Sequence, residues 1–582
     1  MLKRVVKLKT TTSGAEGDDV RGEFVTVAGE RFYAIRNVDK MPPFFISVVS
    51  DDDHWLFVSS TGGLTAGRVS PETALFPYVT DDKIHDSWAH TGSKTIVRVH
   101  AGAEPTYWEP FNREQDSLYA TTRNLYKNVL GNKLCFEEVN HDLQLAFRYT
   151  WATSDSFGFV RFCELHNLGD RNVTADLIDG LQNILPAGTP SSVQASSSNL
   201  LNAYKWTELD EATGVAFFTL YSGITDRAEP YESLRANTAF SLGLEGHRIL
   251  LSSNHLNDFR HGKTLRQESC RSGIRGAYLV SVTLELAAKA AKHWQIVANL
   301  EQSQGQVVAL LRQLEDPAEV FQAVARSVED GSDALARLIA RADGFQGTAE
   351  ENETVHHFAN VLFNSMRGGN FFDQYNVLAR DFAATIRHFN KKVYQRNQQL
   401  IEGLPERLRL DALLPIIVKQ GDVQLERLAS EYLPLTFARR HGDPSRPWNH
   451  FAIELKDEKG EDLMHFQGNW RDIFQNWEAL TFSYPGFVES VIAKFVNAST
   501  IDGYNPYRIG KDGIDWEVEE ADDPWSYIGY WGDHQIIYLE KLLELSRNFN
   551  PNGLRELLRR PIFSYANVPY RIKPFAELIE NL

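Results

Sequence analysis

The spacing of apolar residues changes near Leu284, and this change constrains the fold more than any other feature of the chain. Before it, segments such as residues 157–167 alternate large apolar and polar residues, as strands with one buried face do. After it, apolar residues recur at helical spacing, as over residues 320–339. The pattern predicts a multidomain β + α protein, with a large antiparallel β-sandwich over residues 1–285, a helical linker over 286–345 and a helical domain over 346–582.

Local signals predict where the first helices begin and end. Asp316 and Pro317 suit the N-cap and the first position of a helix. Thr348 and Glu351 fit a capping box for a second helix, which would run to about Met366. Further helices are predicted at about 373–398, 422–432, 471–482, 485–498 and 527–547, with a hairpin at 451–466.

Composition excludes several classes of function. The chain has 582 residues and a formal net charge of −17, whereas nucleic-acid binding calls for a basic surface. The same charge disfavours anionic membrane surfaces, and no run approaches the ~18 apolar residues that a membrane span needs. The first ten residues carry charges and lack the apolar core of a secretory signal. Three scattered cysteines indicate a reducing compartment, so we expect a cytoplasmic protein without a disulfide framework.

Tryptophan and carboxylate residues are concentrated in one stretch of the second half. Six of the twelve tryptophans fall between Trp448 and Trp531, interleaved with acidic residues. Indole faces beside carboxylates suit a sugar, whose C–H face packs on the ring while its hydroxyls donate to the acids. Carboxylates in such a cleft also serve glycosidic bond cleavage. The alternative is that these aromatic side chains fill the core of a large domain.

Three segments carry a resemblance to a known family. Residues 136–145 and 159–168 are similar to sandwich strands that precede a helical barrel, and Arg367-Gly-Gly-Asn-Phe-Phe-Asp373-Gln374 is similar to an Arg and Asp-Gln pair. Gly468-Asn-Trp-Arg-Asp472 is similar to a Gly-Asp-Trp-Asn-Asp loop. Together they resemble the cellobiose-phosphorylase-type enzymes, glycoside hydrolase family 94 and relatives. The resemblance implies a β-sandwich, linker helices and an (α/α)6-type toroid.

The resemblance also implies roles for individual residues. Asp472 would be the general acid and Trp470 a sugar contact, while Arg367, Asp373 and Gln374 would hold the sugar that is cleaved. Asn469 and Arg471 differ from the family's loop. Six or seven predicted helices follow Gln346, fewer than the twelve of the toroid, so we expect an incomplete toroid. A missing C-terminal half or a second polypeptide would then complete it.

Asp472 has a structural interpretation beside the catalytic one. A general acid must stay protonated near neutral pH. Burial beside the rings of Trp470, Phe474 and Trp477 would favour this, and so would the neighbouring carboxylate of Glu478. Alternatively, Asp472 is a first-turn residue that the helix dipole stabilises.

Arg367 and Asp373 also have two interpretations. They would either form a charge-assisted pair that orients sugar hydroxyls or belong to the caps of consecutive helices. The carboxylates Asp515 and Glu517 are candidates for the base of an inverting hydrolase, ~6.5–9.5 Å from the acid, whereas a phosphorylase needs none.

These observations favour a carbohydrate-active enzyme that cleaves a glycosidic bond with inversion, preferably by phosphorolysis of β-glucosides or related oligosaccharides. We expect no cofactor, inorganic phosphate as co-substrate, an oligosaccharide as the binding partner, and either a homodimer or a missing C-terminal half. The alternative is a non-catalytic carbohydrate-binding or scaffold protein, or an inactive fragment of a longer enzyme. The candidate site residues are Asp472 as the acid, and Arg367, Asp373, Gln374, Trp470, Trp477, Glu478, Asp515, Glu517 and Trp531 as substrate contacts.

Overall fold

A computed structural model describes residues 19–100, 104–224, 234–440, 442–446, 451–457, 460, 462–501, 503–516, 535–567 and 575–580. The chain forms two compact units. The sheet unit comprises Met1–Ala336 with Gly442–Phe451, and the helical unit comprises Arg337–His441 with Ala452–Leu582. No helix within the described ranges is long and apolar enough to cross a membrane.

The sheet unit contains antiparallel sheets of eleven, five and four strands in the part of the chain that the structure describes. Its strands are β1 (Arg21–Val27), β2 (Glu30–Arg36), β3 (Phe45–Val48), β4 (His54–Ser59), β5 (Leu64–Arg68), β6 (Ala74–Phe76), β7 (Gly92–Val99), β8 (Thr106–Trp108), β9 (Thr121–Asn128), β10 (Leu134–Asn140), β11 (Leu145–Ser154), β12 (Gly158–Asn167), β13 (Val173–Ile184), β14 (Lys205–Asp210), β15 (Val215–Leu220), β16 (Arg235–Leu242), β17 (Arg248–Leu250), β18 (Cys270–Ser272), β19 (Gly276–Leu286) and β20 (Ala291–Ser303). Its helices are α1 (Asp81–Asp86), α2 (Ser191–Ser196), α3 (Ser198–Tyr204), α4 (His255–Arg260), α5 (Gln304–Gln313) and α6 (Pro317–Ala340), whose last turn enters the helical unit.

The order of the strands confirms the predicted antiparallel architecture. The large sheet runs β1-β2-β9-β10-β11-β12-β20-β16-β15-β14-β18, and the five-stranded sheet runs β17-β19-β13-β7-β8. The smallest sheet follows chain order from β3 to β6. One apolar core contains side chains from all three sheets, including the fully buried Trp108, Trp151 and Trp294. β20 lies in the range predicted to be a helical linker, so the helices that follow the sheets begin only at Gln304.

An ion pair lies inside this core. Arg161 on β12 and Asp179 on β13 are fully buried, with Arg161 Nη1 2.8 Å from Asp179 Oδ2. Trp294 Nε1 donates to Asp179 Oδ2 at 2.7 Å, and the hydroxyl of Thr95 donates to Oδ1 at 2.6 Å. Because each carboxylate oxygen has several donors, the charge is compensated away from water.

A second group of buried charges lies where β4 begins. The ligand atoms of Asp52, Asp53 and His54 lie within 4.8 Å of one another. Arg68 pairs with both carboxylates, at 2.9 Å from Asp52 and 2.5 Å from Asp53. Burial, and then a hydrogen bond with Asp155, raises the pKa of Asp52 to about 7.

This raised pKa predicts a pH dependence of stability. Between pH ~4 and pH 7, folded Asp52 keeps a proton that the unfolded chain has released, so the free energy of unfolding should fall as pH rises through this window. Asp52→Asn removes the titration, so the variant should gain stability relative to wild type from pH 4.5 to pH 8 in urea unfolding. Asp170→Asn, at a side chain that is 90% exposed, is the control. A constant difference between wild type and Asp52→Asn would contradict the assignment.

The helical unit contains short strands between its helices. Its strands are β21 (Asn370–Phe371), β22 (Asn376–Leu378), β23 (Arg407–Arg409), β24 (Leu435–Thr436), β25 (Gln467–Asn469), β26 (Arg508–Gly510) and β27 (Gly513–Asp515). Its helices are α7 (Glu351–Gly368), α8 (Ala379–Phe389), α9 (Lys391–Arg396), α10 (Gln398–Glu402), α11 (Leu410–Gln420), α12 (Val423–Ser430), α13 (Trp470–Thr481), α14 (Val488–Ala498), α15 (Ile536–Phe549), α16 (Pro551–Arg559) and α17 (Phe575–Glu580).

Several local predictions for this unit were wrong. The helix predicted over 373–398 is interrupted at Asn390, whose side chain caps α9 by accepting from Val393 N at 3.1 Å. The predicted capping box is absent, because Thr348 bonds the backbone of Glu350 instead. In the described part of the predicted hairpin, pairing is limited to a bridge between Lys456 and Asp462. The predicted helix at 527–547 begins outside the described residues and continues as α15.

Candidate functional site

A three-stranded ribbon adjoins the start of α13, the helix that carries Asp472. β26 pairs with β25 and with β27, which places Asn469, Arg508 and Asp515 side by side across the ribbon. Trp470, the first residue of α13, donates its backbone N–H to Tyr507 O at 2.9 Å. The start of α13 is therefore held by the same strand that presents Arg508.

Two arginines and a carboxylate lie near one another at this ribbon. Arg508 Nη1 lies 3.6 Å from Asp515 Oδ2, and the Asp515 side chain is 62% exposed. Burial, and then the nearby guanidinium of Arg508, lowers the pKa of Arg440, while Tyr507 and Asp515 oppose the shift. Arg508 Nε is buried and has no hydrogen-bond partner among the described residues. We name Arg440, Asn469, Asp472, Arg508 and Asp515 the ribbon cluster.

The ribbon cluster has the donors for an anionic group. Guanidinium groups bind phosphate or carboxylate through paired N–H groups, and the two arginines repel each other unless negative charge lies between them. Asp515 supplies part of that charge from one side, and the Arg508 side chain is 23% exposed. An anion bound there would relieve the remaining repulsion.

Asp472 lies in the first turn of α13 and is half-buried. The N-terminus of a helix stabilises a negative charge there, which agrees with the structural interpretation. The apolar surroundings expected from the sequence are not those of the structure, because the rings of Trp470 and Phe474 pack against each other at 4.5 Å in the core. Asp472 remains beside the ribbon as a candidate acid.

Trp470 and Trp477 are corrected from sugar contacts to core residues. Each is only 1% exposed. The Trp470 ring packs on Phe495 at 5.0 Å, and Trp477 Nε1 donates to Gly368 O at 2.8 Å. Neither ring offers a face to a sugar. A signal for this was present in the sequence, because the apolar residues of α13 recur at the spacing of one buried helix face: Trp470, Ile473, Phe474, Trp477 and Leu480.

The predicted pair of Arg367 and Asp373 does not form. The Asp373 carboxylate pairs with Arg407 and accepts from Asn376 Nδ2 at 2.7 Å, which ties β22 to β23. The Arg367 guanidinium lies 5.7 Å from the centroid of the Phe363 ring at the end of α7. Asp373 is therefore held by Arg407 rather than by Arg367, whereas α7, which carries Arg367, packs against α13, which carries Asp472.

The remaining predicted contacts fall into two groups. Gln374 is exposed, with a left-handed backbone at φ 54°, beside the paired Asp373. Glu478 is half-buried and does not belong to the buried face of α13. Glu517 and Trp531 lie outside the described residues.

Sequence reasoning missed Arg440 and Arg508. Arg508 follows Tyr507 in a segment that drew attention only through its aromatic residues, and Arg440 is 68 residues earlier in the chain. Only the pairing of β25, β26 and β27 reveals their relation, and β-pairing of such short strands has no strong sequence signal.

Comparison with known families finds a match over one segment of the helical unit. Residues 371–434, which include β22, α8 and α11, match the family described as Glycoside hydrolase family 149 insertion domain 1. No curated protein matches the chain.

Solved structures are similar only at a distance. A bacterial glucoamylase complexed with acarbose has 10% sequence identity and a TM-score of 0.35, over 93% of this chain and 69% of that chain. A protein assigned as a kojibiose phosphorylase, from the human microbiome, has 8% identity and a TM-score of 0.32, over 89% and 64%. Heparinase III has 11% identity and a TM-score of 0.20, over 51% and 38%. This chain therefore spans less than two thirds of the phosphorylase.

Proposed function

We propose that this chain belongs to a carbohydrate-active enzyme that cleaves a glycosidic bond with inversion, by phosphorolysis of β-glucosides or related oligosaccharides. The observation that carries the carbohydrate class is the match of residues 371–434 to an insertion domain of a glycoside hydrolase family. The arginines of the ribbon cluster favour phosphate over water as the nucleophile, because they provide an anion-binding group beside α13.

The proposed reaction uses Asp472 as the acid. Asp472 donates a proton to the glycosidic oxygen while the bond from that oxygen to the anomeric carbon breaks. A phosphate oxygen attacks the anomeric carbon from the opposite face, giving a sugar 1-phosphate of inverted configuration and a free sugar. Arg440 and Arg508 would bind the phosphate. In a hydrolytic reaction, Asp515 would instead activate water.

The helical unit is proposed to form part of an (α/α)6-type toroid, with an oligosaccharide as the binding partner and a homodimer as the assembly. Inorganic phosphate is the proposed co-substrate, and no other cofactor is invoked. We also propose a cytoplasmic location, consistent with three free cysteines.

The proposal predicts phosphate-dependent turnover that requires Asp472. With β-linked disaccharides, sugar 1-phosphate should form only when inorganic phosphate is added, as followed by phosphorus NMR. Asp472→Asn should lower turnover by about 10²-fold or more, since general acid catalysis typically contributes that much. Asp411→Asn, at an exposed carboxylate in the first turn of α11, is the matched control.

The arginines should act through phosphate alone. Arg508→Met and Arg440→Met should raise the KM for phosphate while leaving that for the disaccharide nearly unchanged, and Arg409→Met at an exposed side chain should change neither. Free sugar without phosphate would indicate hydrolysis. Wild-type turnover in Asp472→Asn would contradict the acid assignment.

A non-catalytic carbohydrate-binding protein is the second candidate. It is favoured by the pairing of Asp373 with Arg407, because this pairing engages a side chain predicted to hold the sugar that is cleaved. Calorimetry that detects saccharide binding, together with product analysis that detects no turnover, would support it over the enzyme.

A further inference from the structure

A buried lysine in the helical unit lacks the counter-charge that its neighbours have. Lys494 on α14 is enclosed by protein, with its ammonium 5.8 Å from the centroid of the Phe389 ring and 5.7 Å from that of Phe466. Among the described residues, none forms a hydrogen bond or an ion pair with this ammonium. Burying an unpaired ammonium is costly, so this arrangement indicates a missing partner.

The neighbouring carboxylates are already paired with other cations. Asp381 accepts from Lys511 Nζ at 2.8 Å and from the Tyr432 hydroxyl at 2.5 Å. Glu431 pairs with Arg427 at 2.9 Å and accepts from Asn497 Nδ2 at 2.6 Å. Three cations therefore face two carboxylates, and one positive charge is left at Lys494.

A small cavity adjoins this charge. Its volume is about 20 Å³, and its charged lining residues are Lys494, Lys511 and Glu431, beside the rings of Phe389 and Phe466. A cavity of ~10–15 Å³ or more holds one water molecule, so this one has room for a ligand of about that size.

We propose that this cavity binds one monovalent, water-sized anion, with chloride as the physiological ligand, held by Lys494 and Lys511. The anion would balance the extra positive charge of the cluster without any large rearrangement. Its binding is independent of the carbohydrate chemistry proposed above, because no residue of the ribbon cluster lines the cavity.

The experiment compares the melting temperature of the full chain in sodium chloride and in sodium gluconate at equal ionic strength. Chloride should raise the melting temperature saturably, by about 2 °C or more at concentrations well above its Kd, since a ligand stabilises only the folded state. Lys494→Met should abolish this chloride-specific increment, whether or not the variant is itself more stable. Lys419→Met, at an exposed lysine of α11, should retain it.

Two further measurements locate the anion and its charge dependence. Crystals grown in sodium bromide should give an anomalous-scattering peak in the cavity. Burial lowers the pKa of Lys494 to about 8, so Lys494 loses its charge between pH 7 and pH 9.5. The increase in melting temperature caused by chloride should therefore shrink over this range. The other charged groups that face the site are Lys511, Arg427, Glu431 and Asp381. Equal melting temperatures in chloride and gluconate, or an increment that persists in Lys494→Met, would overturn the proposal.

Discussion

Asp179→Ala is expected to lower the free energy of unfolding of the sheet unit by about 3–5 kcal/mol, because it leaves the Arg161 charge buried and without a counter-ion. The loss includes two hydrogen bonds beside the ion pair, since the Trp294 indole N–H and the Thr95 hydroxyl also lose their acceptor. Chemical denaturation followed by the fluorescence of the buried tryptophans measures the effect.

A double substitution distinguishes the loss of the whole ion pair from the effect of leaving one buried charge unpaired. Arg161→Met with Asp179→Leu removes both charges and keeps apolar volume, so it should recover most of the stability that Asp179→Ala loses. Asp170→Ala, at an exposed partner of Lys289, should change stability by less than ~1 kcal/mol. Asp179→Ala with the stability of wild type would show that the charge is compensated in another way.

Trp477→Ala is expected to destabilise the helical unit by about 3–5 kcal/mol, the usual cost of removing a large buried aromatic side chain. Its indole packs on Phe466 and Phe474 at 5.3 and 5.0 Å and donates to Gly368 O. Trp477→Phe keeps most of the volume and loses the hydrogen bond, so it should cost less.

This substitution also tests whether Trp477 has a core role or a sugar-binding role. Phe482→Ala, at the end of α13 where the side chain is 56% exposed, should have a much smaller effect on stability. A Trp477→Ala variant with wild-type stability but weaker saccharide binding would restore the sugar-contact interpretation. Urea unfolding and calorimetry with a disaccharide together decide between the two roles.

The regular parts of the fold were predictable because their signals are local. The alternation of apolar and polar side chains predicted the long strands β11 and β12. The predicted N-cap of α6 is also present, because Asp316 accepts a hydrogen bond from Glu319 N at 3.1 Å. β20 was missed because it is followed directly by helix α5, so the change of periodicity was placed too early. Helix α11 was missed because it contains Pro415, which a local reading takes as a helix end.

The candidate site was predictable only in part, because its geometry depends on contacts between distant segments. A tryptophan beside carboxylates has the same local pattern whether its ring faces a cleft or a core, and Trp470 and Trp477 face the core. Asp373 finds Arg407 rather than Arg367, since the pairing of β22 with β23 brings Arg407 within reach. The position of Arg508 beside the start of α13 likewise follows from strand pairing.

The close contact of α7 with α13 limits which substitutions the chain can accept. A Cβ atom on Gly368 would lie 2.9 Å from the Cβ of Asn476 and 3.1 Å from Cδ1 of Trp477, so any larger residue would force the two helices apart. Homologous sequences should therefore either retain glycine at 368 or change positions 368 and 476 together. Such paired variation in an alignment would mark this crossing as an inherited packing constraint.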